Sequence, residues 1–174
     1  MARTGLSASL VVMVAALPAC GGSIEVVRAP DFRQPPSARV VIQPLTDEGR
    51  YDLDANLPYG REHGCIEAAV AQGHRVVALD PIRFWVRTPP VAEKDWARAR
   101  AVLVATSAAL FADSVVVGSF SNTPARDVAS VSLQWLSVPE GRLLGEAKLE
   151  TTDGYDPVEA GRRACSALFS GVSP

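Results

Sequence analysis

The first 20 residues constrain this chain most, because they determine where a folded domain can begin. Arg3 precedes an apolar run from Leu6 to Leu17, and small residues follow that run. The run is about 12 residues long, too short for a helix that crosses roughly 30 Å of hydrocarbon. A basic start, a short apolar segment and small residues at its end are typical of a secretory signal peptide. We therefore predict a signal peptide over residues 1–19.

The four residues Leu17, Pro18, Ala19 and Cys20 resemble the lipobox of bacterial lipoproteins. This resemblance implies that Cys20 receives a diacylglyceryl group, becomes the first residue after cleavage and carries a fatty acid such as palmitate on its amine. Two or three acyl chains hold a protein stably on a membrane, whereas one chain does not. Gly21, rather than an acidic residue, follows Cys20, which resembles the pattern of outer-membrane lipoproteins. The alternative is an ordinary cysteine beside a signal peptide cut after Ala19.

Length and charge limit how many domains the mature chain can form and which partners it can attract. The 174 residues carry 17 Lys and Arg against 19 Asp and Glu, a formal net charge of −2, and removal of Arg3 makes the chain more acidic. What remains after residue 19 is enough for one domain with its own core. The acidic balance argues against broad attraction to nucleic acid. We expect no nucleic-acid partner.

Two cysteines, Cys65 and Cys165, follow Cys20. An even number of cysteines in an exported chain permits one disulfide bond. The alternative is two small, buried apolar side chains, since the sequence does not show whether their Cα atoms lie within about 7 Å. A bond would close a loop of roughly 100 residues and stabilise the domain by about 4 kcal/mol in the chain-entropy model.

Residues 20–37 are predicted to be the lipidated cysteine and a tether. Glycine and serine lead this stretch, and Pro30, Pro35 and Pro36 interrupt it. Fully extended, residues 21–37 would reach about 55 Å. The alternative is that residues 24–28 form a short strand that docks on the domain, which would shorten that reach.

Residues 38–174 are predicted to form one α+β domain with two layers, a mixed sheet with helices packed mainly on one face. The evidence is hydrophobic periodicity between glycine and proline breakers. It indicates strands over 40–42, 75–79, 83–87 and 114–120, and helices over 65–72 and 93–112. It also indicates a hairpin with arms 130–135 and 143–150 around Gly141, and a last helix capped by Asp156.

Three segments resemble a group of bacterial envelope proteins: the TolB amino-terminal domain, the curli-secretion lipoprotein CsgG and the LpoB-type activator lipoproteins. They are the opening strand 39–45, the Ala-Asp-x-hydrophobic-hydrophobic-x-Gly entry over 112–118, and the hairpin followed by a closing helix. The long membrane-spanning hairpins of the curli protein have no clear counterpart here. The resemblance therefore implies a lipid-anchored single domain, nearest in layout to the activator lipoproteins.

Residues that could carry chemistry are few. The chain has two histidines, His63 and His74, and no Gly-x-Ser-x-Gly elbow, so a catalytic triad is not indicated. His63 and Cys65 offer two metal ligands, but no second pair at zinc spacing follows them. We expect that the protein is not an enzyme and has no cofactor, no metal site and no small-molecule substrate.

The sequence thus predicts a protein-binding module of the cell envelope, lipid-anchored on the periplasmic face of the outer membrane. It would serve as an activator or accessory factor for an envelope protein whose identity the sequence does not give. The alternative is a structural subunit of an oligomeric secretion or motility complex. Trp85 is the candidate partner contact if residues 83–87 form an exposed edge strand. Packing of Trp85 in the core is the other explanation.

Overall fold

A computed structural model describes residues 12–13, 22–29, 38–42, 46–47, 62–77, 96–122 and 128–170. Within these residues eight strands form one sheet and three helices pack on it. The strands are β1 (Val12–Met13), β2 (Gly22–Arg28), β3 (Arg39–Ile42), β4 (Thr46–Asp47), β5 (Arg75–Val77), β6 (Ser114–Asn122), β7 (Val128–Ser137) and β8 (Leu143–Tyr155). The helices are α1 (His63–Ala71), α2 (Trp96–Ala109) and α3 (Pro157–Phe169).

The sheet is mixed, with the order β1-β2-β8-β7-β6-β3-β5, and β4 also pairs with β6. The strands β2, β8, β7 and β6 are antiparallel neighbours, whereas β6, β3 and β5 run parallel. Each parallel step needs a crossover connection. Helix α1 lies between β3 and β5 in the chain, and α2 lies between β5 and β6. The predicted α+β class with a mixed sheet is confirmed.

Alternating side chains of the sheet supply two cores. Val40 and Ile42 of β3 enter a first core beneath α1 and α3, which also contains Trp135 and Phe169. Val41, between them, faces a second and smaller core beneath α2. Helices therefore lie mainly on one face, as predicted. Helix α2 covers the opposite face over β3 and β6, so residues 40–42 and 115–117 are buried on both faces of the sheet.

Helices α1 and α3 approach each other closely at Gly64. A Cβ atom at this position would overlap the carbonyl oxygen of Val158 and press on the backbone nitrogen of Arg162. The next residue, Cys65, is joined to Cys165 by a disulfide bond, and the two Cα atoms are 5.1 Å apart. Both cysteines are fully buried. The pair of helices is thus held by backbone contact and by a covalent link.

Strand β2 belongs to the sheet, so residues 22–28 are not part of a tether. All seven of its residues pair with β8, from Gly22 opposite Thr151 to Arg28 opposite Gly145. Ile24 and Val26 pack against the first core, whereas Ser23 and Glu25 are exposed. This alternation favours the docked strand over the tether. Residues 30–37 and Cys20 lie outside the described residues.

The strand register defines two opposite ends of the domain. We call the first the Gly22 end, and it comprises the starts of β2, β7 and α3 and the ends of β6 and β8. We call the second the hairpin end, and it comprises Arg39, Arg75, residues 110–114 and the turn 138–142. In that turn Gly141 has a φ of +67°. The predicted hairpin and its glycine are therefore confirmed.

Candidate functional site

The structure brings together one pair of the predicted site residues. Cys65 and Cys165 lie in the first core, one on α1 and one on α3. Cys20 and Trp85 lie outside the described residues, as does the predicted edge strand over 83–87. The described residues offer instead two contrasting surfaces, one at each end of the sheet.

At the Gly22 end, β2 begins against a cluster of polar side chains. A Cβ atom on Gly22 would lie 3.0 Å from the Tyr155 hydroxyl oxygen and 2.9 Å from the Glu150 carbonyl oxygen. Arg163 donates a 2.9 Å hydrogen bond to that hydroxyl, and its guanidinium lies 4.6 Å from the centre of the Tyr155 ring. Arg163 also donates to Glu159 over 2.6 Å. The first two turns of α3 thus hold the Tyr155 side chain against the start of β2.

Charge pairing explains the state of Glu159. Its hydrogen bond from Arg163 lowers the pKa of the Glu159 carboxyl, and a second bond from Arg162 acts in the same direction. Asp156, at the N-cap of α3, accepts hydrogen bonds from the amides of Val158 and Glu159 at 2.9 Å and 3.2 Å. This confirms the predicted cap. The charged groups at the start of α3 are therefore satisfied largely by one another.

The other end of β2 is fastened as well. The Arg28 guanidinium donates a 2.7 Å hydrogen bond to the carbonyl oxygen of Ala167 in the last turn of α3. Just after the strand, the amide of Ala29 donates to the Leu144 carbonyl over 3.0 Å. A cation near a helix C-terminus is favourable because carbonyl oxygens there lack helical partners. Strand β2 is thus bound to the domain along its whole length.

At the hairpin end, α2 ends in a Schellman motif with an aromatic residue at the strained position. The amide of Phe111 donates to Ala108 over 2.9 Å, and the amide of Ala112 donates to Ser107 over 3.1 Å. Phe111 has a φ of +57°, a left-handed conformation that glycine usually supplies at this position. The residue as a whole is 78% exposed. Leu110 on one side and Ala112 on the other both pack in the second core.

Phe111 is the site residue that the sequence analysis missed. The apolar run of α2 predicts a helix that continues to residue 112, so Phe111 looked like one more helical residue. A signal was present, however. The helix must stop before the strand at Ser114, and no glycine or asparagine occurs over residues 103–113 to supply the left-handed turn.

Arginines surround the motif at the hairpin end. Arg39 donates from Nη2 to the Leu110 carbonyl over 3.1 Å, and its own amide donates to the Asp113 carboxylate over 2.7 Å. Arg100 donates to the Gly141 carbonyl over 2.9 Å. In the described part of this end, four arginines accompany two carboxylates: Arg39, Arg75, Arg100 and Arg142 with Asp113 and Glu140. The end is therefore basic, although the whole chain is acidic.

The face of the sheet beyond the second core has a different character. Lys148 and Glu150 form an ion pair of 2.6 Å, and Lys148 lies directly opposite Glu25 in β2. Ser121 and Ser130 are joined by a 2.7 Å hydrogen bond between their hydroxyls. Opposite charges and hydroxyls thus pair across the strands, as expected for the solvated side of an antiparallel sheet.

The two histidines do not belong to one site. His63 is exposed at the start of α1, whereas His74 is buried in the first core between Trp135 and Phe169. Burial lowers the pKa of the His74 imidazole.

Among the described residues there is no group of three or more His, Cys, Asp or Glu that could hold a metal ion. No helix in that part of the chain is long and apolar enough to span a membrane.

Comparisons with known proteins find solved structures of similar fold, all at low sequence identity. No family model and no curated protein matches the sequence. The PelC dodecamer from Paraburkholderia phytofirmans is similar over 87% of this chain and 97% of that one, with 10% identity and a TM-score of 0.50. The lipoprotein GNA1162 from Neisseria meningitidis is 14% identical over 66% of this chain and 81% of its own, with a TM-score of 0.48. The LpoB C-terminal domain from Salmonella enterica is 13% identical over 71% and 88%, with a TM-score of 0.46. At these identities the similarity to PelC establishes a shared fold, and the two lower scores add no argument.

Proposed function

We propose that this chain is a lipid-anchored lipoprotein that binds another protein in the bacterial cell envelope and does not catalyse a reaction. The anchor is Cys20, and the domain lies on the periplasmic face of the outer membrane. The partner is an envelope protein that the domain activates or assists. The proposal rests on the signal peptide and lipobox of the sequence together with the position of β2 in the fold.

The position of β2 is the observation that carries the proposal. The strand starts at Gly22, two residues after Cys20, and is paired with β8 throughout. Two residues span at most about 7 Å. Cleavage before Cys20 would remove the two-residue strand β1 (Val12–Met13) and leave β2 as the edge of the sheet. Acyl chains on Cys20 would therefore hold this edge strand, and with it the sheet, at the membrane surface. A domain held there meets other membrane-bound proteins at a raised effective concentration.

Palmitate labelling and the mass of the mature amino terminus test the anchor. The wild-type protein should incorporate labelled palmitate, begin at a modified Cys20 and sediment with outer membranes. Cys20→Ser should lose the label and leave the membrane fraction. Ser23→Ala, a change at an exposed position of β2, should behave as wild type. The anchor is refuted if Cys20→Ser stays wholly in the membrane fraction with its leader processed as before.

A second candidate function is a subunit of an oligomeric envelope complex for secretion or motility. The fold shared with PelC favours it, because that protein was solved as a dodecamer. Native mass measurement of the acylated protein in detergent separates the two candidates. A symmetric ring supports the subunit, whereas a strict monomer supports the protein-binding module.

A further inference from the structure

Phe111 is held in an unfavourable conformation with no benefit to the core of its own chain. Its left-handed backbone crowds the Cβ atom, and the residue is 78% exposed. A side chain that stays in water contributes little hydrophobic stabilisation. Strain of this kind persists only where neighbouring structure enforces it, and it concentrates at functional sites.

The neighbours of Phe111 do enforce its position. Leu110 is partly buried against the second core, Ala112 is buried in it, and the amide of Ala112 donates a hydrogen bond to the Ser107 carbonyl. Asp113 accepts a hydrogen bond from the Arg39 amide and donates its own amide to the Arg39 carbonyl over 2.8 Å. The ring therefore projects from a rigid base. A preorganised aromatic side chain loses little conformational entropy on binding, which makes it a good interface anchor.

The charges beside Phe111 indicate the chemistry of what it binds. Arg75 and Arg142 are exposed at this end, and Arg39 is tied to the carbonyl of Leu110, next to Phe111. With Arg100 included, the arginines outnumber the carboxylates by four to two among the described residues of this end. Such a rim attracts carboxylates on a partner and repels cationic surfaces.

The lipid anchor would direct this surface away from the bilayer. Strand β2 enters at the Gly22 end, and β7 runs ten residues from that end to the hairpin end. At about 3.3 Å per residue, the two ends are roughly 30 Å apart. This step depends on the function proposed above, because it uses acylation of Cys20 to orient the domain.

From these observations we infer that the hairpin end, centred on Phe111, is the docking surface for the envelope partner. The partner presents an apolar pocket that receives the Phe111 ring and is bordered by aspartate or glutamate side chains. Phe111 is the contact residue for which the described part of the chain gives geometric support. Trp85 lies outside that part, so its contact role stays a prediction.

Photo-crosslinking in cells tests the docking surface. We would replace Phe111 by p-benzoylphenylalanine in the full chain, irradiate whole cells and identify crosslinked peptides by mass spectrometry. The same replacement at Glu67, exposed on α1, is the positional control. The expected result is one envelope protein crosslinked at position 111 and not at 67, through a peptide in which apolar residues adjoin acidic ones.

Charge reversal sharpens the test. Arg75→Glu and Arg142→Glu should each lower the yield of that crosslink by about tenfold. Lys148→Glu, a reversal on the polar sheet face, should leave it unchanged. The inference is overturned if position 111 crosslinks only to lipid, only to a second copy of this chain, or no better than position 67. A yield that is insensitive to both arginine reversals also overturns it.

The proposed lipid anchor and the proposed docking surface can be refuted independently of each other. A protein acylated on Cys20 that gives no specific crosslink at position 111 refutes the docking surface alone. A protein that is not acylated, but whose crosslink at 111 depends on Arg75 and Arg142, refutes the anchor and the orientation while the contact surface stands.

Discussion

Helices α1 and α2 end in the same hydrogen-bonded motif, but a different residue occupies its strained position. In α1 the left-handed residue is Gly73, with a φ of +82°, and in α2 it is Phe111, with a φ of +57°. The residues that follow, His74 and Ala112, are both buried. Glycine adopts this conformation without steric cost, whereas phenylalanine does not. The comparison suggests that the end of α1 serves stability, whereas the end of α2 sacrifices some stability to display an aromatic ring.

The surroundings of the two helices fit that contrast. Helix α1 is linked covalently to α3 through Cys65 and contacts it closely at Gly64. Helix α2 packs on the smaller core through Leu103 and Val104. Changes around α1 should therefore alter folding stability more than changes around α2. The predictions below test this from the largest expected effect to the smallest.

Loss of the disulfide should have the largest effect. The double change Cys65→Ala and Cys165→Ala should lower the free energy of unfolding by about 4 kcal/mol, because the bond closes a loop of 100 residues. Urea unfolding of the purified domain measures it. The wild-type protein in reducing buffer should unfold at nearly the same urea concentration as the double variant. Equal stability of wild type and variant in oxidising buffer would mean that the bond does not form in the mature protein.

The change Gly73→Ala should have the next largest effect on folding stability. A Cβ atom in the left-handed conformation costs about 1–2 kcal/mol, so the free energy of unfolding should fall by that amount. Chemical denaturation measures the change. Glu67→Ala, on the exposed side of the same helix, is the control and should stay within about 0.5 kcal/mol of wild type. If Gly73→Ala proves as mild as the control, the left-handed turn is not a determinant of stability.

Elements with a local signal could be predicted from the sequence. Gly73 and Gly141 occur where a helix or a hairpin must reverse direction, and both have positive φ values. Asp156 before Pro157 predicts a capped helix, and the cap is present. In these places one or two neighbouring residues determine the backbone conformation. The α+β class followed from the order of such elements.

Features that depend on distant contacts could not be predicted. Strand β2 looked like a tether because glycines precede it and prolines follow it, yet its docking depends on β8, more than a hundred residues later. The approach of Cys65 to Cys165 likewise depends on how two helices pack. Phe111 was missed for a different reason. The sequence indicates that the helix must end before Ser114, but an aromatic residue in a left-handed turn runs against local preference, so the turn was not assigned to Phe111.

A smaller, pH-dependent effect is expected at His74, the residue after Gly73. Burial against Trp135 and Phe169 lowers the pKa of its imidazole below the ordinary 6.5. The unfolded chain then binds the proton more readily than the folded one. Stability should therefore be full above pH 6.5 and fall as the pH drops towards the lowered pKa.

His74→Leu tests this dependence. The variant should lose less stability than wild type between pH 7 and pH 5, measured by thermal unfolding at each pH. Between pH 7 and pH 8 the folding stability of wild type and variant should depend on pH equally, which serves as the internal control. Identical slopes for wild type and variant at acid pH would contradict the buried, neutral imidazole.

Two changes at Phe111 should alter folding stability the least. They also give the most information about the function of this residue. Phe111→Gly relieves the left-handed strain and should raise the free energy of unfolding by up to about 1 kcal/mol. Phe111→Ala keeps the strain and removes only an exposed ring, so its stability should stay within about 0.5 kcal/mol of wild type. Both variants should lose partner binding equally, measured as recovery of the crosslinked partner from a photoreactive residue at position 140, which is exposed in the same turn. A gain in stability together with a loss of binding is expected where a residue is kept for contact rather than for folding. If Phe111→Gly unfolds more easily than wild type, the ring supports its own domain, and the contrast between the two helix ends does not reflect function.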